Sequence, residues 1–289
     1  MPRAPTAWLS TQRAIIAGLL IALAAAAWAL LVWQTGNTGA DMAMTSPTMG
    51  MRAPLFLAIW MVMMVAMMFP AAAPMILAFH TVQLRRRQHG GAFVATWIFV
   101  AGYLLVWALS GVVAYAGALA AETIAARAAL SPGAAGRIGG ALLLMAGLYQ
   151  LSPLKDLCLS KCRTPIGFIM TSWRDGAAGA LNMGMRHGAW CLGCCWLLFV
   201  VLFPLGIMNI SAMAAVTLVI CAEKMLPWGH AVARLAAAAL IAYGAAALVW
   251  PEVLPTFLPT FMAGDGMAPA HDAGTMEMPG MSMPAPSGR

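Results

Sequence analysis

Residues 189–226 read AWCLGCCWLLFVVLFPLGIMNISAMAAVTLVICAEKML, from Ala189 to Leu226. The run is apolar for nearly twice the ~20 residues that carry a helix across a hydrocarbon core. Its break falls near the middle, at Pro204, Gly206 and Asn209. This reads as two membrane-crossing helices joined by a tight turn. Transmembrane strands would need short segments of alternating hydropathy, and those are absent. The fold class is therefore all-α, a polytopic helical bundle.

The rest of the chain agrees. Of 289 residues 62% are hydrophobic and only 9% charged, against about 25% charged in an ordinary soluble domain. Further spans are predicted at Ala14 to Trp33, Pro54 to Phe79, Phe93 to Ala120, Ser131 to Leu151 and Ala231 to Trp250, which makes seven crossings. Ser131-Pro132 opens its span as a cap followed by a first-turn proline. The first run is too long for a cleaved signal peptide and reads as a retained helix. Residues 163–188 mix Ile166, Phe168, Ile169, Met170 and Trp173 with glycines and three arginines, which suits an interfacial or re-entrant segment. Three regions follow: 1–53, a first helix and outer loop; 54–250, a transmembrane core; and 251–289, a Met- and Pro-rich tail expected to be disordered.

Twelve of the sixteen Lys and Arg fall in or beside inner segments if the N-terminus is inside and the C-terminus outside. The net charge of +7 is thus accounted for by orientation in a lipid bilayer, and no nucleic-acid partner is expected. A bacterial inner membrane is the expected location. Arg85, Arg86, Arg87 and His89 form a basic loop that serves as an anchor.

Soft sulfur is the recurring chemistry. Cys158 and Cys162 lie four apart, as do Cys191 and Cys195, with Cys194 within a 100° arc of the second pair. In the alternating topology both groups start at one depth near the inner face, so they can meet as a thiolate cage. Such a cage suits Cu(I) first and zinc second. Lys155, Lys161, Arg163 and Arg186 lie near enough in sequence to favour anionic sulfur. His187, four residues before Cys191, is a possible nitrogen ligand, while Cys221 alone reads as a buried hydrophobe. Glu223-Lys224 is an ionisable pair at a membrane boundary, and Glu223 is a candidate ligand.

The second span carries Met61, Met63, Met64, Met67, Met68 and Met75. On a helix Met61, Met64, Met68 and Met75 share an arc of about 60°, and Met63 and Met67 share another with Pro70 and Pro74. Met63 with Met67, and Met64 with Met68, place thioethers one turn apart, although methionine also fills cores. Pro70 and Pro74 free the carbonyls of Ala66 and Pro70 and require a neighbour to satisfy them. Further methionines stand in the outer loop at Met42, Met44, Met49 and Met51. Others stand in the tail at Met262, Met267, Met276, Met278, Met281 and Met283, with His271 nearby. Thioethers of this kind can collect Cu(I).

The strings Met63-Met64-Val-Ala-Met67-Met68-Phe-Pro70, Tyr149-Gln150-Leu-Ser-Pro153-Leu-Lys155-Asp-Leu-Cys158, Gly188-Ala-Trp-Cys191-Leu-Gly-Cys194-Cys195-Trp196, Gly206-Ile-Met208-Asn209 and Glu223-Lys224 closely resemble a bacterial family of predicted metal-binding integral membrane proteins. The resemblance runs from about Pro54 to Trp250. It implies a helical membrane domain and a metal role for Cys158, Cys162, Cys191, Cys194 and Cys195, without naming the metal. The leading expectation is a non-enzymatic protein that captures Cu(I) for transport or for delivery to a metalloenzyme or metallochaperone. A thiol-disulfide oxidoreductase using Cys191 and Cys194 is the alternative, though no βαβ pattern accompanies the motif. A zinc-binding or structural membrane subunit is the third reading.

Overall fold

The computed structural model describes residues 6–37, 47–48, 50–90 and 93–255, with side chains from residue 10 onward. The loop methionines Met42, Met44 and Met49, and the whole tail with its methionines and His271, lie outside the described residues.

Ten helices follow in order: α1 Thr6–Asn37, α2 Ala53–Gln88, α3 Thr96–Arg127, α4 Pro132–Gln150, α5 Pro153–Arg163, α6 Pro165–Ser172, α7 Gly176–Val200, α8 Leu202–Leu205, α9 Ile210–Met225 and α10 Gly229–Val249. Among the described residues there is no strand. Five helical stretches are long and apolar enough to cross a membrane: Ser10–Asn37, Ala53–Gln88, Thr96–Arg127, Gly176–Leu205 and Gly229–Val249. A sixth would be the pair α4 and α5 taken together, which bends by 62°. The expected seventh falls short because α9 has only 16 residues. Its start is fixed by the turn after α8, where Gly206 sits at φ +90°, a conformation that costs a residue without Cβ little. Asn209 then caps α9, accepting from Ala212 N at 3.1 Å.

The cap expected at Ser131 forms, and Ser152 supplies a second that was not expected. Ser131 Oγ accepts from Ala134 N, and Ser152 Oγ accepts from Lys155 N, each at 3.2 Å, with a proline next in both helices. The 163–188 segment departs from expectation. Only α6 is a short separate piece, and Gly176 onward already belongs to α7. Of the glycines there, Gly176 takes φ +80° at the start of α7, while Gly184 and Gly188 serve packing. A Cβ on Gly184 would lie 2.0 Å from the Phe99 carbonyl, and one on Gly102 2.2 Å from that of Leu181. Small residues let α3 and α7 approach backbone to backbone, as lipid-embedded helices commonly do. Gly140 and Gly244 play the same part between α4 and α10.

Helix α2 runs uninterrupted through Pro70 and Pro74. The carbonyl of Ala66, deprived of its intrahelical donor by Pro70, accepts from Trp28 Nε1 of α1 at 3.1 Å. The neighbour that the sequence demanded is therefore an indole one helix away. A stripe of Leu20, Ala24, Ala27 and Leu31 packs α1 on the core, while Ile15, Leu19, Ile21, Leu23 and Trp33 face outward.

Candidate metal centre

Sulfur converges at the middle of α7, where Cys191, Cys194 and Cys195 are buried. Four-residue spacing puts Cys191 and Cys195 on one face, and the thiols of Cys194 and Cys195 donate to the Cys191 carbonyl at 3.1 and 2.8 Å. After the bend that follows Gln150, α5 folds back against α7. This brings the Cys162 thiol near those of Cys191 and Cys194. The bend is what makes a cluster of two sequence-distant groups.

The position along the helix differs from expectation. Because α7 begins at Gly176, Cys191 stands near the centre of the apolar stretch Gly176–Leu205 and not at the start of a helix. Aromatic contacts fix the level further. Trp60 of α2 meets Phe199 of α7 with centroids 6.3 Å apart. Phe79 of α2 stacks on Phe99 at 4.7 Å, and Phe99 on His187 at 6.0 Å. Met63, Met64, Met67 and Met68 lie between these two bridges on α2, as Cys191, Cys194 and Cys195 do on α7. The methionines and the thiols belong to one apolar core. Met63, Met64, Met67, Met68 and Met75 are fully buried, whereas Met61 is only partly buried and Pro74 is exposed.

Cys158 takes a separate position. Its sulfur packs over Gly193, 2.9 Å from where a Cβ would stand, and lies close to Cys194 without joining the hydrogen-bonded set. Tyr149 of α4 holds the same residue by donating to the Gly193 carbonyl. Cys221, half-buried on α9, has no hydrogen bond to the cluster among the described residues.

Two partners of the cluster were missed in the sequence. Tyr103 of α3 shares a hydrogen bond of 3.2 Å with Cys191 Sγ, and Lys224 Nζ of α9 donates to the same sulfur at 2.9 Å. Lys224 had a signal in the Glu223-Lys224 pair, but the two side chains part. Neighbours on a helix diverge by about 100°. Glu223 turns away from the thiols and accepts from Lys155 Nζ at 2.7 Å and from Gln150 Nε2 at 2.8 Å. Lys155 also donates to Gln150. Both carboxylate oxygens are thus engaged, and Glu223 serves as the buried counter-ion of Lys155 in place of the ligand role expected for it. Of the cations expected beside sulfur, Lys155 pairs with Glu223, and Arg163 donates to the carbonyls of Glu223, Leu226 and Pro227 at 3.1, 2.8 and 3.2 Å. Lys161 and Arg186 are exposed. The positive charge at the sulfurs comes from Lys224.

Among the described residues no group of three or more His, Cys, Asp or Glu side chains is spaced to hold a metal ion. The thiols of Cys194 and Cys195 donate to a backbone carbonyl, that of Cys191. Four adjacent soft donors and one ammonium, in an apolar shell, form a donor set that fits monovalent copper.

The fold and this cluster define a class: an all-helical chain with five or six helices suited to a bilayer and a buried group of free thiols. Residues 57–247 match the family PpoB2, described as a copper chaperone, and the chain belongs to that family. No curated protein and no solved structure matches it. The match covers the region expected to form the core, and it supports copper handling.

Proposed function

We propose that this protein is a multi-pass component of a bacterial inner membrane that binds Cu(I) as cargo on Cys162, Cys191, Cys194 and Cys195, with Cys158 at the margin, and passes it to a metalloenzyme or across the membrane. The observation that carries the reading is the approach of Cys162 from α5 to Cys191 and Cys194 of α7 in a chain of a copper chaperone family. Membrane location is supported by the apolar helices and by their outward-facing Leu, Ile and Trp side chains, which suit hydrocarbon better than water. Retention of Lys and Arg in alternate loops supports an inner N-terminus.

Lys224 stands where a cation is needed, paired with Cys191 until copper displaces it. The thioethers of Met63, Met64, Met67 and Met68 offer weaker, neutral donors at the same depth, a reservoir from which thiolates draw the ion. Element analysis of the detergent-purified full chain tests the reading. Wild type is expected to hold copper, and C162S and C191S to lose it. Zinc in its place would reassign the cargo. A metal-free protein with a reversible Cys191–Cys194 disulfide would replace the reading with thiol-disulfide exchange.

A further inference from the structure

On α7 the thiols continue a longer stripe. Met183, His187, Cys191 and Cys195 recur every fourth residue, drifting only about 40° per step. All four are buried, with exposures of 0%, 2%, 0% and 2%. These four are all soft or borderline donors, since thioether, imidazole and thiol all ligate copper.

His187 is the informative member. Neither Nδ1 nor Nε2 has a hydrogen-bond partner. The ring is held by Phe99, Tyr103 and Phe168 at centroid distances of 6.0, 5.5 and 5.7 Å, where the close approach of α3 at Gly184 and Gly188 brings the first two. Leaving a polar group buried and unpaired is unfavourable, and a phenylalanine would fill this aromatic cage without that cost. A buried polar group that lacks a partner calls for a functional account. The imidazole lies close enough to Cys191 and Lys224 to feel their charges, and Tyr103 bridges the two levels by stacking on His187 and hydrogen-bonding Cys191.

We propose that His187, with Met183 one turn before it, is a second Cu(I) station on α7 that exchanges the ion with Cys191. This rests on the thiol cluster being a copper site. The exchange is a ligand substitution at constant oxidation state: a sulfur of the cluster joins the ion as the imidazole nitrogen leaves, or the reverse, with no electron transferred. Because both ring nitrogens are unengaged, either can bind while the other keeps the proton.

The test is anaerobic titration of the full chain in detergent with Cu(I), against a chromophoric Cu(I) chelator, followed by X-ray absorption at the copper edge. At high loading, wild type should show an imidazole contribution beside sulfur. H187F, whose ring fits the cage, should lose that contribution and bind one Cu(I) fewer while keeping the tightest copper. M183L should weaken the same weaker site by about tenfold or more. If H187F unfolds, H187Q carries the same readout. An all-sulfur spectrum in wild type, unchanged in stoichiometry by H187F, would overturn the second station and leave the thiol site standing. A wild type without copper would overturn both.

Discussion

The sulfur of α2 and the sulfur of α5 and α7 behave differently. Met63, Met64, Met67, Met68 and Met75 of α2 are buried in the apolar core, whereas the cysteines sit among hydrogen-bonding groups, with an ammonium on Cys191 and a tyrosine beside it. Methionine is flexible and uncharged and fills irregular gaps, so burial satisfies it entirely. A thiol cluster beside a buried cation is satisfied only in part by burial. The difference teaches that equal softness does not make equal sites: the partner groups separate a core filler from a strong ligand.

The largest expected effect separates the cysteines themselves. C162S should abolish tight copper binding, while C158S, which touches Gly193 and only borders Cys194, should retain most of it in a chelator competition. Equal losses would restore a symmetric cage and break the distinction drawn here. Next comes the charge pair that keeps Glu223 away from the thiols. K155M should destabilise the fold by about 3–5 kcal/mol, because it leaves a buried carboxylate without its cation, and adding E223L should recover most of that. Unfolding in detergent measures both.

On the methionine side, W28F should cost about 1–3 kcal/mol by stranding the Ala66 carbonyl. The double variant M63L and M67L should change stability by less than about 1.5 kcal/mol, since volume is conserved. It should leave the final copper content unchanged but slow loading, as stopped-flow titration would show. Unaltered loading would make α2 purely structural.

The smallest effect lies outside the spans. Asp175 accepts from Trp173 Nε1 at 3.0 Å and from Arg86, whose guanidinium lies 4.8 Å over the Trp173 ring. The indole hydrogen bond, then the arginine, hold its carboxyl below the usual carboxylate range. A lowered folded-state pKa stabilises above the ordinary range, and that contribution fades as pH falls through the lowered value. The site is exposed, so D175N should shift the acid limb of unfolding only slightly. The anchoring expected of this basic stretch thus takes a specific form, linking α2 to the start of α7.

Local features were legible in residue order. The Ser131 cap, the turn at Gly206 and Asn209, and the need for a donor to Ala66 all depend on neighbours within a few positions. What was not legible came from distance. Residues 176–188 read as interfacial because their glycines and arginines lower the apolar score, yet Gly184 and Gly188 pack on α3. That extension moved Cys191 from the start of a helix to its interior. Lys224 was overlooked in favour of Glu223 because sequence gives adjacency but not the direction each side chain finds a partner.

The chain's order of residues alone determined a helical, lipid-suited protein with clustered soft donors, since hydropathy, periodicity and capping are local properties. Only the tertiary structure decided which donors meet. The 62° bend between α4 and α5, the glycine contact of α3 with α7 and the end of α9 bring Cys162, Tyr103 and Lys224 to Cys191. Contacts across so many intervening residues depend on how helices cross, which no local pattern encodes.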